Sequence, residues 1–168
     1  LLFIVFVLNF YTNTVIAQSV ELSGESEIYV QEPLTHSNYI RNKKNVIHEL
    51  IKKEPNCSAI TSEKPSSVFD IYKSVLSEEK IEKLAKEQKR LLLIEYCDST
   101  GKILEVDFLL LNSNVPDDVT ITEIEQLEKA FKNHTINFYQ ECPDVKYFRL
   151  VVRCRFKDLI KEETSTND

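Results

Sequence analysis

The chain has 168 residues, 42% of them hydrophobic and 29% charged, an ordinary globular balance in a length that buries a core without metals or cross-links. A net charge of −6 disfavours nucleic-acid and anionic-membrane partners, which select a basic face. Two glycines, Gly24 and Gly101, are too few for a phosphate-cradling loop or a dinucleotide fingerprint.

Leu1 to Ala17, LLFIVFVLNFYTNTVIA, reads as a signal peptide ending in Val15-Ile16-Ala17 before Gln18. Asn9, Thr12 and Asn13 interrupt it, and it is short for a bilayer span. It has no initiating Met or basic leader, so the natural start is expected upstream; an uncleaved anchor is the alternative reading. No Cys follows the cleavage point, against a lipoprotein. The expected location is periplasmic or secreted, with no stable membrane span once the signal is removed.

Residues 18–67 read as an N-terminal arm and helix. Gln18 to Asn38 is polar with one apolar island, Ile28-Tyr29-Val30, and reads as a poorly ordered arm. From Asn42 to Lys53, Val46, Ile47, Leu50 and Ile51 recur at helical spacing until Pro55 ends the run. His48 beside this stripe has no Cys or His four residues on, so it reads as an ordinary helix residue. Cys57 to Ser67 is linker-like.

Residues 68–160 read as the α+β domain. Val68 to Leu76 is expected as a short strand or extended lead-in. Ser77-Glu78-Glu79 starts a helix with a hydroxyl cap and two acids in the first turn, and Ile81, Leu84 and Ala85 form its buried stripe. Glu78, Glu79 and Glu82 are explained by capping and solvation.

Arg90 to Leu111, RLLLIEYCDSTGKILEVDFLLL, is the firmest element. Asp98-Ser99-Thr100-Gly101-Lys102 suits a type I turn followed by a left-handed glycine. Pairing Tyr96 with Leu104, Ile94 with Val106 and Leu92 with Phe108 stacks apolar on apolar, and sets Glu95 opposite Glu105. The turn at Asn112 to Asp118 leads to a helix with two legal capping boxes, Thr122 with Glu125 and Thr120 with Glu123. Ile124, Leu127 and Phe131 form its core stripe. His134 continues that face at the last turn, where an imidazole suits the helix dipole.

Val145 to Phe156 is the last strand, with Phe148, Leu150, Val152, Cys154 and Phe156 on one face and Arg149, Arg153 and Arg155 on the other. The arginines suit either an anion site or a charge ladder, Arg149 or Arg153 against Glu95. An arginine between Glu95 and Glu105 explains their opposition more simply than a shared proton. Residues 161–168 are expected as a disordered tail, and fraying from Lys157.

Four cysteines in an oxidising compartment permit two disulfides. Side-chain parity puts Cys154 on the apolar face and Cys97 on the other, so a Cys97–Cys154 bridge ranks last. Cys97 with Cys142 and Cys57 with Cys154 is favoured, against four reduced, buried thiols. No zinc spacing occurs, and no cofactor is expected.

The expected fold is α+β: a three-stranded antiparallel sheet in the order β-β-α-β with one crossover helix, preceded by N-terminal helices. The helix should cover Leu92, Ile94, Val106 and Val152. With the Asp98–Lys102 turn followed by Ile103-Leu104-Glu105-Val106, residues Leu91 to Phe156 resemble the C-terminal domain of TonB and small TonB-like exported bacterial proteins. The chain departs from that pattern in lacking a Tyr-Pro lead-in and a Pro-rich spacer. The resemblance implies binding by strand addition at Ile103 to Leu111, with Leu109 and Leu111 on the edge and an envelope protein or a second copy as partner. A small ligand-binding protein or hydrolase using Glu95, Glu105 and Arg149 or Arg153 is the alternative; no Ser-His-Asp frame or paired-His metal motif supports catalysis.

Overall fold

A computed structural model describes residues 19–34, 37–53, 59–61, 65–111, 117–140 and 144–161. The hairpin forms where the turn residues place it, between β5 (Arg90–Asp98) and β6 (Ile103–Leu111). Gly101 takes φ +84° and its N–H donates to Asp98 O at 3.0 Å, closing the type I turn. The Asp98 carboxylate accepts from Thr100 N–H at 2.8 Å and Lys102 N–H at 3.2 Å. These bonds, with that from the Thr100 hydroxyl first among them, hold its pKa below the usual range.

The expected register does not survive past the turn. Cys97 pairs with Ile103, but an irregularity between Tyr96 and Cys97 leaves Leu104 as an extra residue in β6. Beyond it Tyr96 faces Glu105, Ile94 faces Asp107, and Leu93, not Leu92, faces Phe108. One inserted residue exchanges the two side-chain sets of β5 relative to β6. Leu91, Leu93, Glu95 and Cys97 therefore share a face with Val106 and Phe108, and Leu92 lies on the other.

The three-stranded sheet is likewise overturned. Six antiparallel strands run in the order β1-β2-β3-β6-β5-β8, with β1 (Val20–Ser23), β2 (Ile28–Leu34), β3 (Ser37–Asn42) and β8 (Tyr147–Arg155) around the hairpin. A separate pair joins β4 (Ala59–Thr61) to β7 (Phe138–Gln140). The segment read as a poorly ordered arm, Gln18 to Asn38, supplies β1, β2 and the start of β3. Its polar composition hid them, because Tyr29 and Ile40 alone are fully buried in those strands. Strands from 20–42 and from 90–155 share one sheet across the boundary expected near 67.

Five helices occur among the described residues: α1 (Ile47–Leu50), continued by a 3-10 turn over Ile51–Lys53, α2 (Pro65–Val75), α3 (Glu78–Lys86), α4 (Ile121–Lys132) and α5 (Phe156–Lys161). The expected strand at Val68–Leu76 is helical: Val68, Tyr72 and Leu76 recur every fourth residue on one buried face, and proline suits a first helical position. The stretch expected to fray after Lys157 begins as α5, anchored by buried Phe156 and Leu159. In α1 the stripe is only partly buried, with Ile47 inside and Val46 exposed. Ser77 caps α3, and Thr120 with Glu123 forms the capping box of α4.

The core lies between the helices and one sheet face. Ile124, Leu127 and Phe131 of α4 meet Leu91, Leu93, Val106, Phe108 and Leu150. Val106 and Val152 are covered as expected; Leu92 and Ile94, turned to the far face, are not. The Tyr72 ring packs edge-on against Phe131 at 5.6 Å and Phe156 at 6.3 Å, tying α2, α4 and the start of α5 together.

Acids fasten the N-terminal strands to α4. Glu125 accepts from Ser26 N–H at 3.1 Å and from the Ser26 hydroxyl, and pairs with Lys129 at 2.6 Å. A Cβ on Gly24 would lie 2.2 Å from Glu125 Oε2, so glycine there lets the turn approach the carboxylate. Glu128 accepts from the Tyr29 hydroxyl and from Asn42 Nδ2 at 3.1 Å, and pairs with Lys132 at 2.6 Å. Burial, then the bond to Glu128, pushes the Tyr29 pKa far above the phenol range.

Two outcomes follow from these contacts. Gly101→Ala forces a left-handed Cβ to within 2.0 Å of Ile136 O, and should cost at least about 2 kcal/mol by urea unfolding. Burial alone would raise the Glu125 pKa, but Lys129 and Ser26 prevail and lower it from 4.5 to about 2. A depressed folded-state pKa gives stability that is present above 4.5 and lost as pH falls towards 2. Unfolding midpoints measured across that window should fall less steeply for Glu125→Gln than for the parent chain.

Candidate functional site

The sheet face away from α4 carries the polar residues that bear on function. Its centre is occupied by structural acids. Glu105 accepts backbone N–H groups from Val46 and Ile47, both at 2.8 Å, and so caps α1. Asp107 accepts from the Tyr39 hydroxyl and from Asn45 Nδ2 at 3.0 Å. Burial, followed by that bond to Asp107, raises the Tyr39 pKa; burial, followed by the charge on Asp107, raises that of Tyr96. Ile47 and Ile51 close over Ile94, Tyr96, Leu104 and Tyr147. This corner is a packed joint, with both Glu105 oxygens committed to the backbone.

Glu95 is not part of it. Its side chain points to the helix-covered side, where it is 1% exposed, and its cross-strand partners are Val106 and Leu150. Glu95 and Glu105 thus lie on opposite faces: the extra residue at Leu104 removes their expected opposition and shared proton, and the β5–β8 register, which sets Glu95 opposite Leu150, removes the ladder to Arg149 or Arg153. Arg149 faces Tyr96 and Arg153 faces Leu92. The acid–arginine cluster posited for a hydrolase is not assembled.

The expected edge is also filled. β3 pairs along β6, Ser37 with Leu111 and Tyr39 with Leu109, so Leu109 and Leu111 are half-buried inside the sheet. The terminal strands are β1 and β8. Cys57 and Cys142, and with them both favoured disulfides, lie outside the described residues. Cys97 and Cys154 are buried thiols on the same, helix-covered face, which corrects the parity argument. Burial raises both pKa values to about 12. Cys97 sits beside Phe148 and Cys154 beside Leu91, six residues along β5 and so roughly 20 Å apart, too far to bridge.

What remains open is the β8 end of the face. Arg149, Arg153 and Arg155 are exposed in a row, with Val151 half-exposed among them. Arg90 of β5 lies directly opposite Arg155. Among the described residues no ion pair includes Arg90, Arg149, Arg153, Arg155 or Lys157. A cleft of about 240 Å³ adjoins this end, lined by Ala85, Gln88, Lys89, Arg90, Arg155 and Lys157. Its floor follows from the close of α3: Gln88 takes φ 54°, Gln88 N–H donates to Ala85 O at 3.0 Å, and Lys89 N–H donates to Leu84 O at 2.9 Å. Sequence periodicity identified the arginine row, but the cleft needs the Arg90–Arg155 register, which no local pattern reveals.

Among the described residues no group of three His, Cys, Asp or Glu side chains is placed to hold a metal ion, and no helix is long and apolar enough to cross a membrane. Comparison with protein-family models and with curated proteins returns no match. Among solved structures, the chain is similar to the crystal structure of a DUF5043 family protein from Bacteroides uniformis ATCC 8492. The TM-score is 0.66 at 13% identity, over 84% of this chain and 87% of that one. The likeness is one of fold alone.

Proposed function

We infer that the chain is an exported, non-enzymatic binding module that holds an acidic, extended polypeptide along β8. The observation that carries this reading is the exposed Arg149-Val151-Arg153-Arg155 row on a terminal strand, with no carboxylate paired to it among the described residues. A terminal strand offers unpaired backbone groups to an added strand. Side chains on one face of a strand recur every second residue, roughly 6.6 Å apart, so acids alternating along the partner would meet the arginines in register. Val151 would supply apolar contact between charged flanks. A second copy of β8 is the wrong partner, because like charges would then oppose one another. The pair β4–β7 packs beside the start of the strand, Phe138 against Phe148 at 5.0 Å, which directs the partner to the Arg155 half. Export is supported by the apolar opening stretch, and β1 begins at Val20, so cleavage after Ala17 would leave the sheet intact.

The test is anisotropy titration with a labelled ten-residue peptide of alternating Glu and Val, against a Lys–Val control. The Glu peptide alone should bind, and more weakly as salt rises. Arg149→Glu with Arg153→Glu should weaken it at least tenfold while leaving the unfolding midpoint nearly unchanged. Equal binding of both peptides, or indifference to the double substitution, refutes the docking. For export, mass spectrometry of the protein from its native host should find Gln18 as the first residue; retention of 1–17 refutes cleavage.

A further inference from the structure

The cleft at the Arg155 end has a chemistry of its own. Arg90 and Arg155 are cross-strand neighbours, an arrangement in which like charges repel unless an anion lies between them. Lys157 adds a third cation from the first turn of α5. The acids that approach the cleft, Asp118 at 3.1 Å and Glu87 at 3.9 Å, are both engaged with Lys89. Arg90, Arg155 and Lys157 are left without an ion-pair partner among the described residues, a local triple positive charge on a chain whose net charge is −6.

We propose that this cleft binds a small multivalent oxyanion, the phosphate or sulfate group of a small molecule. The two guanidinium forks present planar pairs of N–H donors that match phosphate or sulfate oxygens, and Lys157 contributes a point charge. At about 240 Å³ the cleft is below the roughly 300–1,000 Å³ of sites that enclose drug-sized ligands, which suits one charged head group. Gln88 adds a polar side chain where the backbone conformation favours glycine, so a donor is retained at a conformational cost. The cleft shares Arg155 with the peptide row, but Arg90 and Lys157 lie outside that row, so the anion site stands whether or not a peptide docks there.

The experiment is amide NMR titration of the full chain with sodium phosphate and, separately, sodium sulfate, each at ionic strength held constant with chloride. Saturable shifts confined to 85–90 and 155–157 are expected, with the preferred anion identifying phosphate or sulfate as the group bound. Arg90→Gln and Arg155→Gln, made singly so that one unfolded variant does not decide the matter, should each weaken binding at least tenfold. Arg149→Gln with Arg153→Gln should leave it within twofold, which separates this site from the peptide reading. Shifts that never saturate, that scatter over all basic residues, or that vanish equally in the Arg149/Arg153 variant overturn the proposal.

Discussion

The structure turns on a single extra residue, Leu104. A hairpin with a three-residue turn at Ser99–Gly101 has its register set at the turn, and that register would place Glu105 and Asp107 with one set of neighbours. The irregularity opposite Tyr96 and Cys97 inserts Leu104 and passes every later residue of β6 to the other side. Phe108 and Val106 thereby join Leu93 and Leu91 beneath α4, while Glu105 and Asp107 turn to the opposite face. There they find the N–H groups of α1 and the Asn45 amide. The shift costs a ladder irregularity and secures apolar burial and a capped helix together.

Legibility in the sequence followed the range of the interaction. Features fixed within a few residues, such as the Gly101 turn, the Ser77 cap and the Thr120–Glu123 box, depend on side chains adjacent in the chain and were readable. The hairpin register was not, because apolar-on-apolar stacking favours the unbulged pairing of Leu92 with Phe108, and nothing local announces a bulge. The strands of 20–42 were missed for a related reason. Their inward positions mix Ile40 with Tyr29 and Asn42, polar groups satisfied by Glu128, so the alternating apolar pattern is broken. A pointer did exist in α4, where Glu125 and Glu128 each stand four residues before a lysine on the helix's buried side.

The same reasoning explains what was legible of the functional surface. The arginine row of β8 is a period-two pattern, visible in any alternating strand. Its partners were not, because assigning Glu95 to it required knowing the face of β5, which the pairing of Glu95 with Leu150 of β8 decides. Once Glu95 is buried and Glu105 is committed to α1, the arginines pair with no acid among the described residues, and a reading as a solvated charge ladder loses its other half. On the reading proposed above, that row would recognise negative charge on a partner, from a chain whose own net charge is −6.

The central place of β6 between β3 and β5 bears on how the chain acquires its shape. Ser37 waits for Leu111, and the intervening segment must close a long loop before that ladder forms, at an entropic cost recovered only once both neighbours of β6 are in place. Until then the hairpin of β2 and β3 carries a bare flank beside Tyr29 and Ile40. A chain synthesised from its N-terminus would leave that flank unpaired for the whole interval between 42 and 103.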